Sequence, residues 1–547
     1  MTLAVHSRPQ RRLERFFRSP YLCYGLLLVV ILLFAGIRYR LRSMPLERDE
    51  GEYAYAGQLM LEGVPPYQLA YSMKLPGIYA AYALILAVFG QTASGIRLGL
   101  LLVNAAGVLL MYFLAARLFD RLAGIVAAAG YAVLSTSASV LGFSAHATHF
   151  VVLCVLGGVL LLMRALESGK TWLFFCSGLL LGIGFLMKQH GIFFVLFGLT
   201  YLLWCELPLP IHCRSLAPKA AGYLSGAALP FAFTCVLMYR AGVFRTFLFW
   251  TFGYAREYAA NVPASQAWQN LHRGLVLLVT PQVLIWCFAL AGLVAIWSRS
   301  TRHRFFLGSF LVFSLLSVCP GFRFRLHYFV LILPAIALLA GVAVSATARN
   351  LYGRTASWKS AAVPALVFLL AFILTIFHHR ALLFSMDPVA ASNAMYGVTP
   401  FLAAEEVATH IEGATSPADR VAIFGSEPEI YFYSHRHSAT GYIYTYPVMD
   451  SRQYAPLMQE NMIGEITAAN PAVAVFVRSR DSWAETPIQK ALITDWMGQY
   501  LTGHYSLFGV VDLTDPPTSH WEADAINYRP KSRDAMFVYK RRTRDSD

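Results

Sequence analysis

Charge is scarce in this sequence. Only 14% of its 547 residues are Asp, Glu, Lys or Arg, where a soluble globular chain carries about 25%. Hydrophobic residues make up 57%, and the mean hydropathy is +0.52. Together these exclude a soluble enzyme, a disordered chain and a fibre. Acidic residues are the scarcer sign, 30 against 44 basic. The shortage is uneven. Residues 1–378 hold 30 basic and 10 acidic side chains, and residues 379–547 hold 14 and 20. The net +14 is therefore no footprint of nucleic acid, because the excess positive charge belongs to the apolar part. Cysteine is also sparse, with eight in all, none after His378 and no CxxC. A disulfide framework and a zinc knuckle are excluded, and free thiols in apolar surroundings are expected. No P-loop and no G-x-G-x-x-G after a strand occurs, so no nucleotide-binding signature is present. No internal repeat or low-complexity segment is found.

Long apolar runs are plentiful. A run of about 18 residues with few charges reads as a membrane helix. Such runs fall at 21–38, 96–116, 122–141, 148–163, 171–187, 190–206, 220–239, 275–297, 305–320, 328–346 and 361–377. Five arginines precede the first run (Arg8, Arg11, Arg12, Arg15 and Arg18), and Arg38, Arg40 and Arg42 follow it with no small-x-small site. It reads as a retained anchor behind a basic cytoplasmic segment, residues 1–20. The stretch 75–90 is short and opens on Pro76 and Gly77. If it does not cross, the basic loops at Arg117/Arg121, Arg164/Lys170, Arg214/Lys219, Arg299/Arg302/Arg304 and Arg349/Arg354/Lys359 all fall on the N-terminal side. The positive-inside bias then holds throughout. The expectation is an interfacial helix over 75–90, within one long outer loop over 39–95. The aromatic segment 241–274 is expected along the outer membrane surface.

The same bookkeeping places residues 379–547 outside. That tail has β-like runs at Arg420–Phe424 and Ala472–Val477, with helical stretches at 401–412 and 485–499, which predict a small α/β domain. The expected fold class is a polytopic α-helical membrane protein with about eleven to thirteen helices. Its domains are a membrane part over 21–378 and an extracytoplasmic α/β domain over 379–547.

Four of the ten acidic residues in the membrane part, Glu47, Asp49, Glu50 and Glu52, lie within six positions just after the first run. Carboxylates close to a bilayer are costly, so this cluster is a functional candidate. An acidic loop, or Asp49 serving as a helix N-cap, is the bland alternative. Asp49 and Tyr53 share a face if the stretch is helical. Polar residues interrupt apolar sequence on the same expected side. They are Lys74 in SMKLPG, His146 and His149 in SAHATHF, Lys188 in FLMKQHG, and Arg323, Arg325, His327 and Tyr328 in PGFRFRLHYF. The cations break the positive-inside pattern, so topology does not explain them. Cations around an acidic group suit a phosphate beside a proton acceptor. The two lysines could instead snorkel, and the histidines could cap or pack. HxxH with Glu50 or Asp49 as a third ligand is a weak metal pattern. His378, His379, His435 and His437 read as surface residues.

The order RDEGEYAY, KLPG, a polar insertion, MKQHG and RFRLHYF before Pro334 resembles the family 39 membrane glycosyltransferases. These have the GT-C fold and include the protein O-mannosyltransferases and the lipid A aminoarabinose transferase. The resemblance covers residues 20–380 and implies a polyprenyl-phosphate-linked sugar donor. It also implies that Asp49 is the base for the acceptor hydroxyl, with Glu50 as its acidic neighbour and Tyr53 as the following aromatic. Lys74 and Lys188 then match lysines of the family's KPP-like and TKG-like motifs, Lys74 on the donor phosphate. Arg323, Arg325, His327 and Tyr328 match a late basic–aromatic segment near that phosphate. Glu52, His146 and His149 depart from the pattern.

The expected activity is transfer of a sugar, with inversion, to a hydroxyl on a protein, lipid or glycan at the outer face of a bacterial inner membrane. A divalent metal ion is a possible cofactor, and the partners are the lipid-linked donor, the acceptor and membrane lipid. The alternative is a transporter or lipid flippase, which inverted repeats and charges at the midplane would mark.

Overall fold

The structure is a computed structural model, and it describes residues 20–206, 213–451, 453–483 and 492–542. The basic segment around Arg8–Arg18 and residues 485–491 of the expected 485–499 helix lie outside the described residues. The chain forms two compact units. One comprises Met1–Leu41, Arg97–Cys235 and Asn261–Met386, and the other Arg42–Ile96, Val236–Ala260 and Asp387–Asp547. The tail thus shares its unit with most of the long early loop and with part of the 241–274 segment.

Seven helices among the described residues are long and apolar enough to cross a membrane: Tyr21–Arg40, Ala93–Leu118, Ala147–Ser168, Leu216–Arg240, Ala264–Ala295, Leu326–Thr355 and Trp358–His378. The four other expected runs fold as shorter or more polar helices, at Arg121–Ser135, Thr171–Met187, Ile192–Glu206 and Thr301–Val318. The run 122–141 is cut by its own hydroxyls. Thr136 Oγ1 donates to the carbonyls of Ala132 and Val133, and Ser137 caps a separate short turn. Such side chains offer the backbone an alternative to the helical ladder. The 15 residues that remain span about 22 Å, short of a hydrocarbon core of about 30 Å. The segment 264–274, expected on the membrane surface, instead opens the long Ala264–Ala295 helix.

Within the first unit the most apolar 18-residue stretch of the Leu326–Thr355 span is wholly buried. Small residues let backbones approach closely. A Cβ on Gly178 would lie 2.0 Å from the Tyr223 carbonyl oxygen, and one on Gly182 would lie 2.3 Å from that of Ala227. Close approach of this kind is how helices pack where no hydrophobic force separates protein from lipid. Among the described residues, seven cysteines are free thiols, as the missing CxxC implied.

The second unit holds the acidic cluster. Residues Arg48–Leu61 and Gly77–Phe89 are helices, and the latter, at 13 residues and about 20 Å, is too short to cross. The tail is an α/β domain around a six-stranded mixed sheet. Its strands are β1 (Arg420–Phe424), β2 (His437–Ser438), β3 (Val473–Arg478), β4 (Tyr505–Asp512), β5 (Thr518–Trp521) and β6 (Ala535–Arg541). They lie in the order β2-β1-β3-β6-β4-β5. β1 runs parallel to β2 and β3, and the remaining pairs are antiparallel. Both β-like runs read from the sequence are strands, because their apolar residues are buried on both faces.

Candidate active site

The Arg48–Leu61 helix starts where it does because Glu47 caps it. The Glu47 side chain accepts from Glu50 N–H at 3.0 Å, and Glu50 returns the bond to Glu47 N–H at 3.3 Å. This capping box satisfies two otherwise orphaned donors. The cap is therefore Glu47, and the reading of Asp49 as cap is corrected. Asp49 sits one residue inside the helix, with its side chain 23% exposed. Glu50 is fully buried. Gly51 lets the tail domain approach, since a Cβ there would lie 2.6 Å from Glu429 N.

Lys74 meets the same helix. Its Nζ lies 3.1 Å from Asp49 Oδ1 and 3.2 Å from Tyr53 Oη, and it sits over the Tyr53 ring. Tyr67 Oη pins the segment by donating to the Lys74 carbonyl at 2.7 Å. Tyr53 follows Asp49 by one helical turn, as the spacing implied. Burial, followed by the nearby Asp49 carboxylate, pushes the ionisation of Tyr53 well up, so its phenol stays neutral.

Glu52, one of the four clustered acids and a departure from the motif, lies at the centre of this group. It is fully buried. Tyr79 Oη donates to its Oε1 at 2.6 Å and Tyr444 Oη to its Oε2 at 2.8 Å, with Lys74 Nζ at 4.0 Å from Oε2. Burial raises its pKa, and Lys74 pulls in the opposite direction. Arg48 is held by the tail. Its Nε donates to the Ser426 carbonyl at 2.6 Å, Nη2 lies 3.3 Å from Glu427 Oε1, and Nη1 donates to Tyr446 Oη. Arg48 and Tyr444 join this group without having been singled out in the sequence, and Glu52 was singled out only as a member of the acidic cluster. The only available signal was that Glu52 interrupts an otherwise recognisable motif.

In the first unit, the other expected residues form a second group. His146 stacks on His327 with ring centroids 4.1 Å apart. His327 lies edge-on to Tyr328 at 4.8 Å, and the Lys188 ammonium sits 4.2 Å over the Tyr328 ring. His190, which the sequence reading quoted but did not single out, packs edge-on against Tyr328 at 4.7 Å. It is fixed by a 2.6 Å hydrogen bond between Nδ1 and the Ser317 carbonyl. His149 is buried, and neither of its ring nitrogens has a hydrogen-bond partner among the described residues. Arg323 is half-buried and Arg325 exposed. A metal finds two imidazoles ready here, because His146 and His327 present nitrogens within 4.8 Å of each other. Glu50, also named for a metal, is engaged in the capping box.

The architecture is that of the GT-C glycosyltransferases, as the motif order implied. ArnT from Cupriavidus metallidurans, solved with undecaprenyl phosphate, superposes with a TM-score of 0.54 at 16% identity. That match covers 94% of this chain and 97% of ArnT. The Archaeoglobus fulgidus oligosaccharyltransferase, solved with a tethered acceptor peptide, gives 0.57 at 12% identity, over 94% and 75% of the two chains. The mycobacterial arabinofuranosyltransferase AftD gives 0.51 at 14%, over 97% and 40%. More narrowly, residues 74–239 match the family model of dolichyl-phosphate-mannose-protein mannosyltransferases. No curated protein matches the chain by sequence. The protein is thus a polytopic membrane protein of the GT-C fold, and the relatives it resembles are glycosyltransferases.

Proposed function

We propose that this protein is an inverting membrane glycosyltransferase. It moves a sugar from a polyprenyl-phosphate-linked donor to a hydroxyl of a protein, lipid or glycan at the outer face of a bacterial inner membrane. The observation that carries this reading is the Asp49–Lys74 pair, a partly exposed carboxylate 3.1 Å from an ammonium. Such a pair supplies the two things the reaction needs, a proton acceptor and a counter-charge for a phosphate.

In this reading the acceptor oxygen attacks the anomeric carbon from the face opposite the phosphate. A new C–O bond forms as the old one breaks, and the electron pair leaves on the phosphate oxygen. The proton of the attacking hydroxyl goes to Asp49. Lys74 stabilises the departing phosphate, and Lys188 with Arg323 or Arg325 adds further positive charge. Glu50 fixes the start of the helix that carries the base, and Tyr53 holds Lys74. In this reading His149 is a substrate contact, as the motif position suggests, and Tyr328 supports Lys188. A divalent cation also belongs to the proposal. The His146 and His327 imidazoles would hold it, and its chemistry would be neutralisation of phosphate charge. Support comes from two relatives, one solved with undecaprenyl phosphate and one with zinc and sulfate. The orientation rests on the positive-inside count.

The test is Asp49→Asn in membranes supplied with a polyprenyl-phosphate-linked sugar. Loss of a general base lowers the rate by about 10²–10⁴-fold. Transfer near the wild-type rate would refute the assignment. Lys74→Ala is expected to weaken use of the donor, and unchanged donor dependence would remove Lys74 from the phosphate site.

A further inference from the structure

A lysine on a flexible stem makes a poor fixed charge. Its compact ammonium must be held by several acceptors before it can meet a phosphate in one place. Around the Lys74 ammonium stand Asp49 at 3.1 Å, Tyr53 at 3.2 Å and Glu52 at 4.0 Å. Asp49 is the one that the reaction redirects, since it must turn to the acceptor hydroxyl. Glu52 is the one that cannot move. Its two oxygens are each held by a phenol, Tyr79 from the Gly77–Phe89 helix and Tyr444 from the tail. The Tyr444 hydroxyl also lies 3.0 Å from the Arg48 carbonyl, one residue before Asp49. A single tail side chain therefore touches both the carboxylate behind Lys74 and the backbone ahead of Asp49.

The tail is fastened to the Lys74 segment at a second point. Tyr71 N–H donates to the Gly441 carbonyl at 2.6 Å. Glu465 accepts from Tyr71 Oη at 3.0 Å and from Thr440 Oγ1 and Gly441 N–H on its other oxygen. The stretch 440–446 thus grips the loop on both sides of the pair, and Tyr444 is its contact closest to the chemistry.

We propose that Glu52 and Tyr444 are positioning residues. They hold the Lys74 ammonium in place for an anionic lipid phosphate, which makes the tail domain part of the donor site. The proposal rests on the reading of Lys74 as the phosphate contact. Neither residue is assigned a role by the motif order, since Glu52 departs from it and Tyr444 lies 392 residues further along the chain.

The test uses the purified full chain and two probes, undecaprenyl phosphate and undecaprenol, which differ only in the phosphate. Two variants keep the charge of the site. Tyr444→Phe removes one hydroxyl, and Glu52→Asp withdraws the carboxylate by one methylene. Each is expected to weaken undecaprenyl phosphate binding roughly tenfold, the scale of one charge-assisted hydrogen bond, and to leave undecaprenol binding unchanged. In a Lys74→Ala background neither is expected to have a further effect, because coupled residues are not additive.

Equal weakening of both probes, or the same loss in the Lys74→Ala background, would overturn the proposal and leave both residues with a purely structural role. If Lys74→Ala itself leaves phosphate binding intact, the parent reading fails instead. Should Glu52→Asp fail to fold, Tyr444→Phe carries the test alone. Glu52→Gln is the counter-experiment. Tighter phosphate binding in that variant, with no change in the other two, would show that Glu52 acts only by repulsion and would overturn the proposal.

Discussion

The two units neutralise buried charge in different ways. In the first unit, buried cations rest on dipoles and aromatic rings. Arg38 donates to the carbonyls of Gly142 at 2.7 Å and Ser135 at 2.9 Å, and lies over the Phe143 ring. Arg40 donates to the carbonyls of Leu382, Leu383 and Met386. Lys188 sits on Tyr328. Ion pairs of that unit such as Arg117–Glu167 and Arg349–Asp120 involve exposed or half-exposed side chains, with Lys219–Glu206 a more buried exception. In the second unit, some buried and half-buried carboxylates pair with cations, as in Arg48–Glu427 and Asp49–Lys74. The contrast follows from composition. A unit poor in acids must use carbonyls that helix ends leave unpaired. A unit rich in acids can build a site in which charges respond to one another.

This difference can be broken by substitution. The largest effect is expected on activity at Asp49, as argued above. The next is expected on the fold at Glu427, which is fully buried against Arg48. Glu427→Ala leaves a cation stranded and should cost about 3–5 kcal/mol, seen as a lower unfolding temperature of the purified chain. Arg38→Met is the matched change in the first unit. It removes a cation but leaves only neutral carbonyls, so the cost should be smaller, about 1–3 kcal/mol. A larger loss for Arg38→Met than for Glu427→Ala would show that the contrast has no energetic meaning. Smaller again is Lys188→Met, which gives up a cation–π contact worth about 1–2 kcal/mol. The same variant should impair donor use, and its stability loss should disappear in a Tyr328→Leu background.

How much of this was legible in the sequence depended on how local the cause was. Runs of apolar residues located the membrane helices. β-Branched residues at Arg420–Phe424 located a strand to the residue, since burial on both faces leaves a continuous apolar run. Order along the chain singles out Asp49 and Lys74, and the structure brings their side chains within 3.1 Å of each other. The break at Thr136 was hidden because the run stays apolar through Leu141 while hydroxyls end the helix. The cap at Glu47 is hidden in the sequence because four acids stand within six positions, and only geometry shows which one accepts from the backbone. Glu52 was illegible for a different reason. Its meaning comes from Tyr444, and nothing local relates two residues so far apart in sequence.

The smallest expected effect probes how the acid-rich unit holds a carboxylate chiefly through hydrogen bonds. Asp512, at the end of β4, is buried and accepts from Lys531 N–H at 2.7 Å, Tyr528 Oη at 2.8 Å and Ser532 N–H at 3.0 Å. Burial works against its ionisation, but these hydrogen bonds outweigh it and hold the pKa below the ordinary 3.8. A carboxylate depressed in the folded state stabilises the fold at pH above its unfolded value. That contribution fades as the pH falls through the folded value. Asp512→Asn keeps the shape but replaces one acceptor oxygen with a donor, which should cost about 1–2 kcal/mol at neutral pH. The gap in unfolding temperature between wild type and variant should then close as the pH falls below 3.8. A gap that stays constant down to pH values below that point would mean that the ionised form is not what the three donors recognise. The 531–534 turn would then owe its position to β6, which begins at Ala535 directly after it.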